Sequence, residues 1–376
     1  MSATASSEGG SVPATPLLDV TELDVRIGTP RGVVHAVNGV SLDLDRGETL
    51  GIVGESGSGK SMFVRALMGI LPSGATLNGS VLFDGIDLTA VPVGQAREVW
   101  GRRIGMVFQD PMTSLNPVVR IGRQISESAR IHLGLNRRRA EELEVELLGQ
   151  VGIPEPERRR RDYPHQFSGG MRQRVTIAMA LACEPDLLIA DEATTALDVT
   201  VQKQILNLLQ RIQRERNMAM ILVSHDLGVV AGRTDRIAVM YAGRVVERAP
   251  TPLLFERRRH RYTDALLGAI PRLDHPPHAR LRSISGTPPD MATLGSGCAF
   301  APRCPAADDR CRTEDPPSAS ESAVAPQPTG SAVSEVSAES LEASESAGGH
   351  VYHCFHPVAA SVPTAPRAAD TSEVPG

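Results

Sequence analysis

Between residues 54 and 61 the chain reads GESGSGKS. Its spacing of glycines, lysine and serine suits one task, which is to hold a row of phosphates. Gly54, Gly57 and Gly59 let the backbone turn tightly and aim N–H groups inward, and a helix starting near Lys60 adds the positive end of its dipole. Lys60 supplies a point charge to the outer phosphates, and Ser61 offers its hydroxyl to Mg²⁺. Glu55, Ser56, Ser58 and Met62 complete the stretch expected to surround ATP. Kinases, GTPases, helicases and transport motors all use such a loop, so it fixes a chemistry and not a role.

A second constellation lies in DLLIADEA, residues 186–193, where a short apolar run delivers two adjacent carboxylates. Open α/β sheets place ligands at that end of a strand. With one acid per task, Asp191 holds Mg²⁺, mostly through water, while Glu192 orients and deprotonates the attacking water. Alone, such a pair reads as a solvated loop; the phosphate loop upstream reverses that reading.

These groups need a sheet to carry them. TLGIV before Gly54, LLIA before Asp191 and MAMILVS are continuous apolar runs, the pattern of strands covered on both faces. A helical pattern from Lys60 to about Leu71 ends at Pro72 and Gly74, and Val201, Ile205, Leu208, Leu209 and Ile212 share one helix face. LLDVTELDVRI and VVHAVNGVSLDLD contain near-alternating apolar residues, as half-buried strands do. From about 110 to 182 the signals are mostly helical, which inserts a helical segment between strands. Around Tyr241 to Val246 a glycine-centred turn predicts a small hairpin. Strands alternating with helices predict an α/β fold with a mostly parallel sheet.

Composition bounds the alternatives. Net charge is −5 and aromatic content 3%, which argues against a broad nucleic-acid surface, so no nucleic-acid partner is expected. Basic runs at 137–139, 158–161 and 257–261 read as solvated faces or loops. No apolar run approaches the roughly 18 residues of a spanning helix, and residues 1–16 lack the basic start and apolar middle of a secretion signal, so a cytosolic chain with reduced or metal-bound cysteines is expected. Residues 1–16, 318–349 and 358–376 are expected to be disordered.

FSGGM at 167–171, some twenty residues before the acidic pair, resembles the signature sequence of ATP-binding-cassette (ABC) ATPases. Gln109 after RIGMVFQ resembles the Q-loop of that family, TALD ending at Asp198 its D-loop, and His225 in VSHD its switch histidine. The resemblance implies a P-loop ATPase over residues 17–270, with a small antiparallel β subdomain and an inserted helical subdomain. It implies that Ser168, Gly169 and Gly170 grip the γ-phosphate of ATP held by a facing subunit, that Gln109 contacts Mg²⁺, and that His225 registers the γ-phosphate. Two positions depart from the family: Ile27 stands near the place of an adenine-stacking aromatic, and Ala193 follows the acidic pair where proline is usual.

QDPMTSLNP at 109–117, YPHQFSGGMRQRV at 163–175, TTALDVTVQ at 194–202 and SHDLGVVAG at 224–232 resemble the oligopeptide/dipeptide importer branch. So do SGTPPD and GCAFAPRCP in the tail. That branch implies a C-terminal extension at 271–317 and 350–357, and a peripheral subunit at the cytoplasmic face of the membrane. Its implied partners are a second, homologous ATPase subunit, two membrane-spanning permease subunits and, indirectly, an extracytoplasmic substrate-binding protein. Nickel or another solute remains an alternative cargo, and a silent partner site an alternative role. Cys298, Cys304, Cys311 and Cys354 resemble the ligand set of a 4Fe-4S cluster, with zinc or bare thiols as alternatives. Cys183 reads as a packed core thiol.

Overall fold

The computed structural model describes residues 15–30, 32–96, 98–193, 198–270, 283–321 and 349–359. Apart from their margins, the segments expected to be disordered lie outside the described residues, as do Thr195, Ala196 and Leu197 of the TALD motif and residues 271–282 of the extension. Contacts divide the chain into two units, residues 1–245 with 288–294, and residues 246–287 with 295–376.

In the first unit, β1 (Leu18–Thr29) and β2 (Gly32–Leu44) precede β3 (Thr49–Val53), which leads through the glycine loop into α1 (Lys60–Leu67). Helix α1 stops short of the expected end at Leu71. Gly69 adopts φ +63 and the Trp100 indole donates to the Leu67 carbonyl (3.0 Å), so the last turn is closed there. Next come β4 (Ala75–Phe83), β5 (Ile86–Asp87), α2 (Val93–Ala96) and β6 (Ile104–Val107). The helical segment follows, as α3 (Pro111–Ser114), α4 (Ile121–His132), α5 (Arg137–Gln150), α6 (Pro156–Arg159) and α7 (Gly169–Ala180). Inside it the buried Glu144 carboxylate accepts from Ser126 Oγ (2.8 Å) and Arg160 Nη1 (2.9 Å), so a charge removed from water has two partners. Then come β7 (Leu187–Asp191), α8 (Val199–Arg216), β8 (Ala219–Ser224), α9 (Leu227–Val230) and β9 (Arg236–Tyr241).

Strands β9, β3, β8, β7 and β6 hydrogen-bond in that order, all parallel, while β2, β1, β4 and β5 form a separate antiparallel sheet. Every residue of β3, β7, β8 and β9 is buried, as their unbroken apolar runs require. Phe63, Val64 and Leu67 of α1 join Leu50, Ile52, Ile189 and Ile221 in one core. That core holds the glycine loop at the C-terminal end of β3 and the acidic pair at the C-terminal end of β7, two parallel strands with β8 between them.

The turn Ala242 and Gly243, with φ 47 and 83, opens β10 (Arg244–Pro250). The second unit contains α10 (Thr251–Arg257), α11 (Arg261–Gly268), α12 (Asp309–Thr313), β11 (Ala319–Glu321) and β12 (His350–Tyr352). Strand β12 pairs antiparallel with β10, matching Glu247 to Tyr352 and Arg248 to Val351, and with β11. The contact division falls at Val246, where the outer half of β10 is already paired with the tail. One sequence expectation is corrected here. Disorder does not begin at 318, since Ala319–Glu321 gains a ladder partner that its Ser/Ala/Glu-rich composition gives no hint of.

Candidate functional site

The glycine loop is held by contacts that exclude side chains. A Cβ on Gly54 would meet the Met240 carbonyl at 2.1 Å, and one on Gly59, at φ 102, the Ala36 carbonyl at 2.4 Å. Lys60 lies buried along the loop, its ammonium donating to the carbonyls of Gly54 (2.7 Å) and Glu55 (2.8 Å) and to Ser58 Oγ (3.3 Å). Burial pulls its pKa down, and the charges of Glu192, Asp191 and Glu55 oppose that pull.

The acidic pair faces the loop. Ser61 Oγ donates to Asp191 Oδ1 (3.3 Å), which sets a hydroxyl beside a carboxylate, the oxygen donors that Mg²⁺ takes. Burial raises the Asp191 pKa, with Glu192 adding to the effect, so a cation there relieves a carboxylate held in an unfavourable place. Glu192 itself sits at φ 45, in the left-handed region, with its N–H donating to the Val223 carbonyl (3.2 Å). Gln109 Nε2 donates to Glu192 Oε2 (2.8 Å), and His225 Nδ1 lies 3.5 Å from Glu192 Oε1. Residues distant in sequence thus converge on one carboxylate.

A cleft of about 540 Å³ opens beside these groups, with Gly54, Glu55 and Asp191 outside its lining. Ser56, Gly57, Ser58, Gly59, Lys60, Ser61 and Met62 form one side, with Gln109, Glu192 and His225 also in the lining. Ile27 lies in the lining too, beside Val34, Ala36 and Met291. Sequence reading missed Val34, Ala36 and Met291. The first two carry only the alternation of a strand, and Met291 sits in a stretch without periodicity. Ser168, Gly169, Gly170 and Asp198 do not line this cleft. Ser168 and Gly169 are exposed at the start of α7, where Ser168 Oγ caps the helix by accepting from Met171 N (3.4 Å). A Cβ on Gly170 would lie 2.7 Å from Val201 of α8. Asp198 caps α8, accepting from Val201 N (2.9 Å). Ala193 is buried directly after Glu192.

In the second unit Cys298, Cys304, Cys311 and Cys354 line one small pocket with Phe300, Ala301, Pro316 and Phe355. Burial raises the thiol pKa of Cys298 to about 11, and neighbouring cysteines add to it; Cys311 and Cys354 are raised for the same first reason. The Cys298 N–H donates to the Cys311 carbonyl (2.8 Å), which fixes two of the four segments together. Ligand atoms of Asp308, Cys311 and His356 lie within 4.8 Å of one another, and His356 Nε2 is 2.9 Å from Asp308 Oδ2. Cys183, apart from this group, is buried with its thiol pKa raised by burial.

Residues 37–195 match the ABC transporter family, and residues 246–311 match the oligopeptide/dipeptide transporter C-terminal region. The chain is 50% identical to the oligopeptide transport ATP-binding protein OppD of Haemophilus influenzae over 297 residues, covering 79% of this chain and 92% of that one. It is 50% identical to the dipeptide transport ATP-binding protein DppD of Bacillus subtilis over 291 residues, covering 77% and 87%. Among solved structures, the dimeric ATP-binding cassette MJ0796 in its post-hydrolysis state with ADP and phosphate matches with TM-score 0.56 and 26% identity, over 62% of this chain and 98% of that one. Loop, acidic pair, parallel sheet and tail therefore have one common account: the chain belongs to the ABC transporter family of ATPases, in its oligopeptide/dipeptide branch.

Proposed function

We propose that this chain is the ATP-hydrolysing subunit of an importer that takes up di- and oligopeptides or related solutes across the cytoplasmic membrane. Among the described residues no helix is long and apolar enough to cross a membrane. On this reading the chain sits at the cytoplasmic face, pairs with a second, homologous ATPase subunit and docks on two permease subunits, to which an extracytoplasmic binding protein delivers the solute. Its similarity to OppD and DppD over most of its length supports peptides over nickel as the cargo.

The observation that carries hydrolysis is the convergence on Glu192. Its carboxylate receives the Gln109 amide and faces His225, one residue from the Asp191 and Ser61 pair. Lys60 and the loop N–H groups hold the outer phosphates, and Ser61, Asp191 and Gln109 are the residues that hold Mg²⁺, which when bound neutralises charge developing on the γ-phosphate. Glu192 takes a proton from the attacking water, and the Gln109 bond keeps the carboxylate aimed. Ser168 and Gly169, exposed at a helix start, with Gly170 half-buried after them, suit an anion offered by a facing subunit, and Val201, whose N–H Asp198 caps, lies against Gly170. In the assembled transporter with MgATP, Glu192→Gln is expected to lower turnover about 10²- to 10³-fold while leaving ATP affinity within a few-fold. Unchanged turnover would make this the silent site of an asymmetric pair.

For the tail, the reading is a 4Fe-4S cluster on Cys298, Cys304, Cys311 and Cys354. The donor set fits: four thiols face one pocket whose remaining walls include two phenylalanines, and soft thiolates are what iron–sulfur clusters take. Such a cluster would be held by thiols from separate points of the tail, two of which are already joined by the Cys298 N–H to Cys311 carbonyl bond. Zinc on Cys311, His356 and Asp308 is the competing assignment, favoured by their close approach.

A further inference from the structure

Seven residues of the tail, 288–294, group with the first unit, although 283–287 before them and 295 onward belong to the second. This strap is a tight turn. Asp290 O accepts from Thr293 N (3.0 Å) and Thr293 Oγ1 (3.3 Å), and Asp290 Oδ1 accepts from Ala292 N (3.0 Å), which leaves Met291 at its tip. Met291 lines the nucleotide cleft and is partly buried there.

The surface beneath it is built around Gly243. This residue has φ 83, and a Cβ on it would lie 2.9 Å from the His35 carbonyl and 3.2 Å from Met291 Cε. Gly243 N donates to Ser58 O of the phosphate loop (2.9 Å), and Gly243 O accepts from Asn38 N of β2 (2.8 Å). The methionine thus rests on a turn hydrogen-bonded both to the phosphate loop and to the strand that supplies Val34 and Ala36. Ile27, Val34, Ala36 and Met291 give the cleft an apolar surface without a ring, where a flat base needs cover.

We propose that Met291 is a base-binding residue, its thioether closing over the adenine of ATP in place of an aromatic platform. A polarisable sulfur on an unbranched side chain makes favourable contacts with an aromatic ring and adapts to its edge. The ligand class is a purine nucleotide gripped by surface contact at the base and by the loop at the phosphates. The inference rests on the cleft binding ATP, and the two fail differently.

The test is calorimetric titration of the full-length chain with MgATP and, separately, with Mg-bound inorganic triphosphate, which has no base. Met291→Ala is expected to weaken ATP about fivefold and leave triphosphate within about twofold, while Met291→Leu, which keeps the apolar volume, holds ATP within about twofold. Thermal unfolding of each variant establishes that it is folded. Lys60→Ala, as control, weakens both ligands. Alanine at 291 with unchanged ATP affinity, or with equal losses for ATP and triphosphate, overturns the assignment. Wild-type chain that binds neither ligand overturns the cleft reading itself, and this inference with it.

Discussion

The phosphate cleft and the cysteine pocket are both clusters of chemically capable residues, but they are built on opposite plans. The cleft takes half of its lining from one contiguous stretch, residues 56–62, and much of what it offers is backbone fixed by close approaches at Gly54 and Gly59. Its charged members already have partners, as Lys60 does with two carbonyls and Glu192 with Gln109. The pocket gathers four thiols from separate short segments, and burial holds three of them toward the neutral form. One site is organised before its ligand arrives; the other is a set of weak local preferences that a metal would complete. A catalytic site that must act on each ATP gains from the first plan. A structural site loaded once can use the second.

The sharpest way to break this comparison is at Lys60. If the cleft is pre-formed and its charge is the main gap to be filled, Lys60→Ala should weaken ATP about a hundredfold in equilibrium titration, with thermal stability nearly unchanged. A variant that instead unfolds would mean that the lysine is chiefly structural.

The second unit should show the reverse, with large effects on folding. His350 Nε2 lies 2.7 Å from Glu247 Oε1 with both side chains fully buried, and Glu247 also accepts from the backbone of Arg259 and His260. Removing the ring by His350→Ala should cost about 3 kcal/mol in denaturant unfolding, because the Glu247 charge stays behind. ATP affinity should stay close to wild type.

The smallest effect is one of pH. The Cys298 thiol has a folded pKa of about 11 against an ordinary value of 9.0. A raised folded value means that the neutral Cys298 thiol contributes its full share of the metal-free unit's stability below about pH 9, and that this share is lost as pH climbs toward 11. Metal loading needs thiolates, so it should weaken on acidification. Iron and zinc assays of anaerobically purified chain, with absorption spectra, separate cluster from zinc. Cys354→Ser should abolish the iron signal if the cluster is present, and leave bound zinc intact if Cys311, His356 and Asp308 hold it.

The two regions were also unequally legible in the sequence. The phosphate loop is local, so eight residues declare it, and Asp191 and Glu192 gain meaning from standing at the end of an apolar strand. The parallel sheet could be read from TLGIV, LLIA and MAMILVS because burial on both faces leaves runs without polar interruption. Met291 could not be read, because its role depends on a strap returning to a cleft formed by the other end of the chain. Strand β11 was hidden for a similar reason: Ala319–Glu321 is ordered by a partner beyond a long intervening segment, and composition reports only what a stretch can do alone. The end of α1 turned on one distant tryptophan at Leu67.

Glu192 occupies a backbone region that costs a side-chain-bearing residue about 1–2 kcal/mol. Glycine alone would sit there at ease, and glycine has no carboxylate. On the proposed role of Glu192, the substitution that would relax this backbone most is therefore also the one that removes the base, so local comfort and turnover pull in opposite directions at one position.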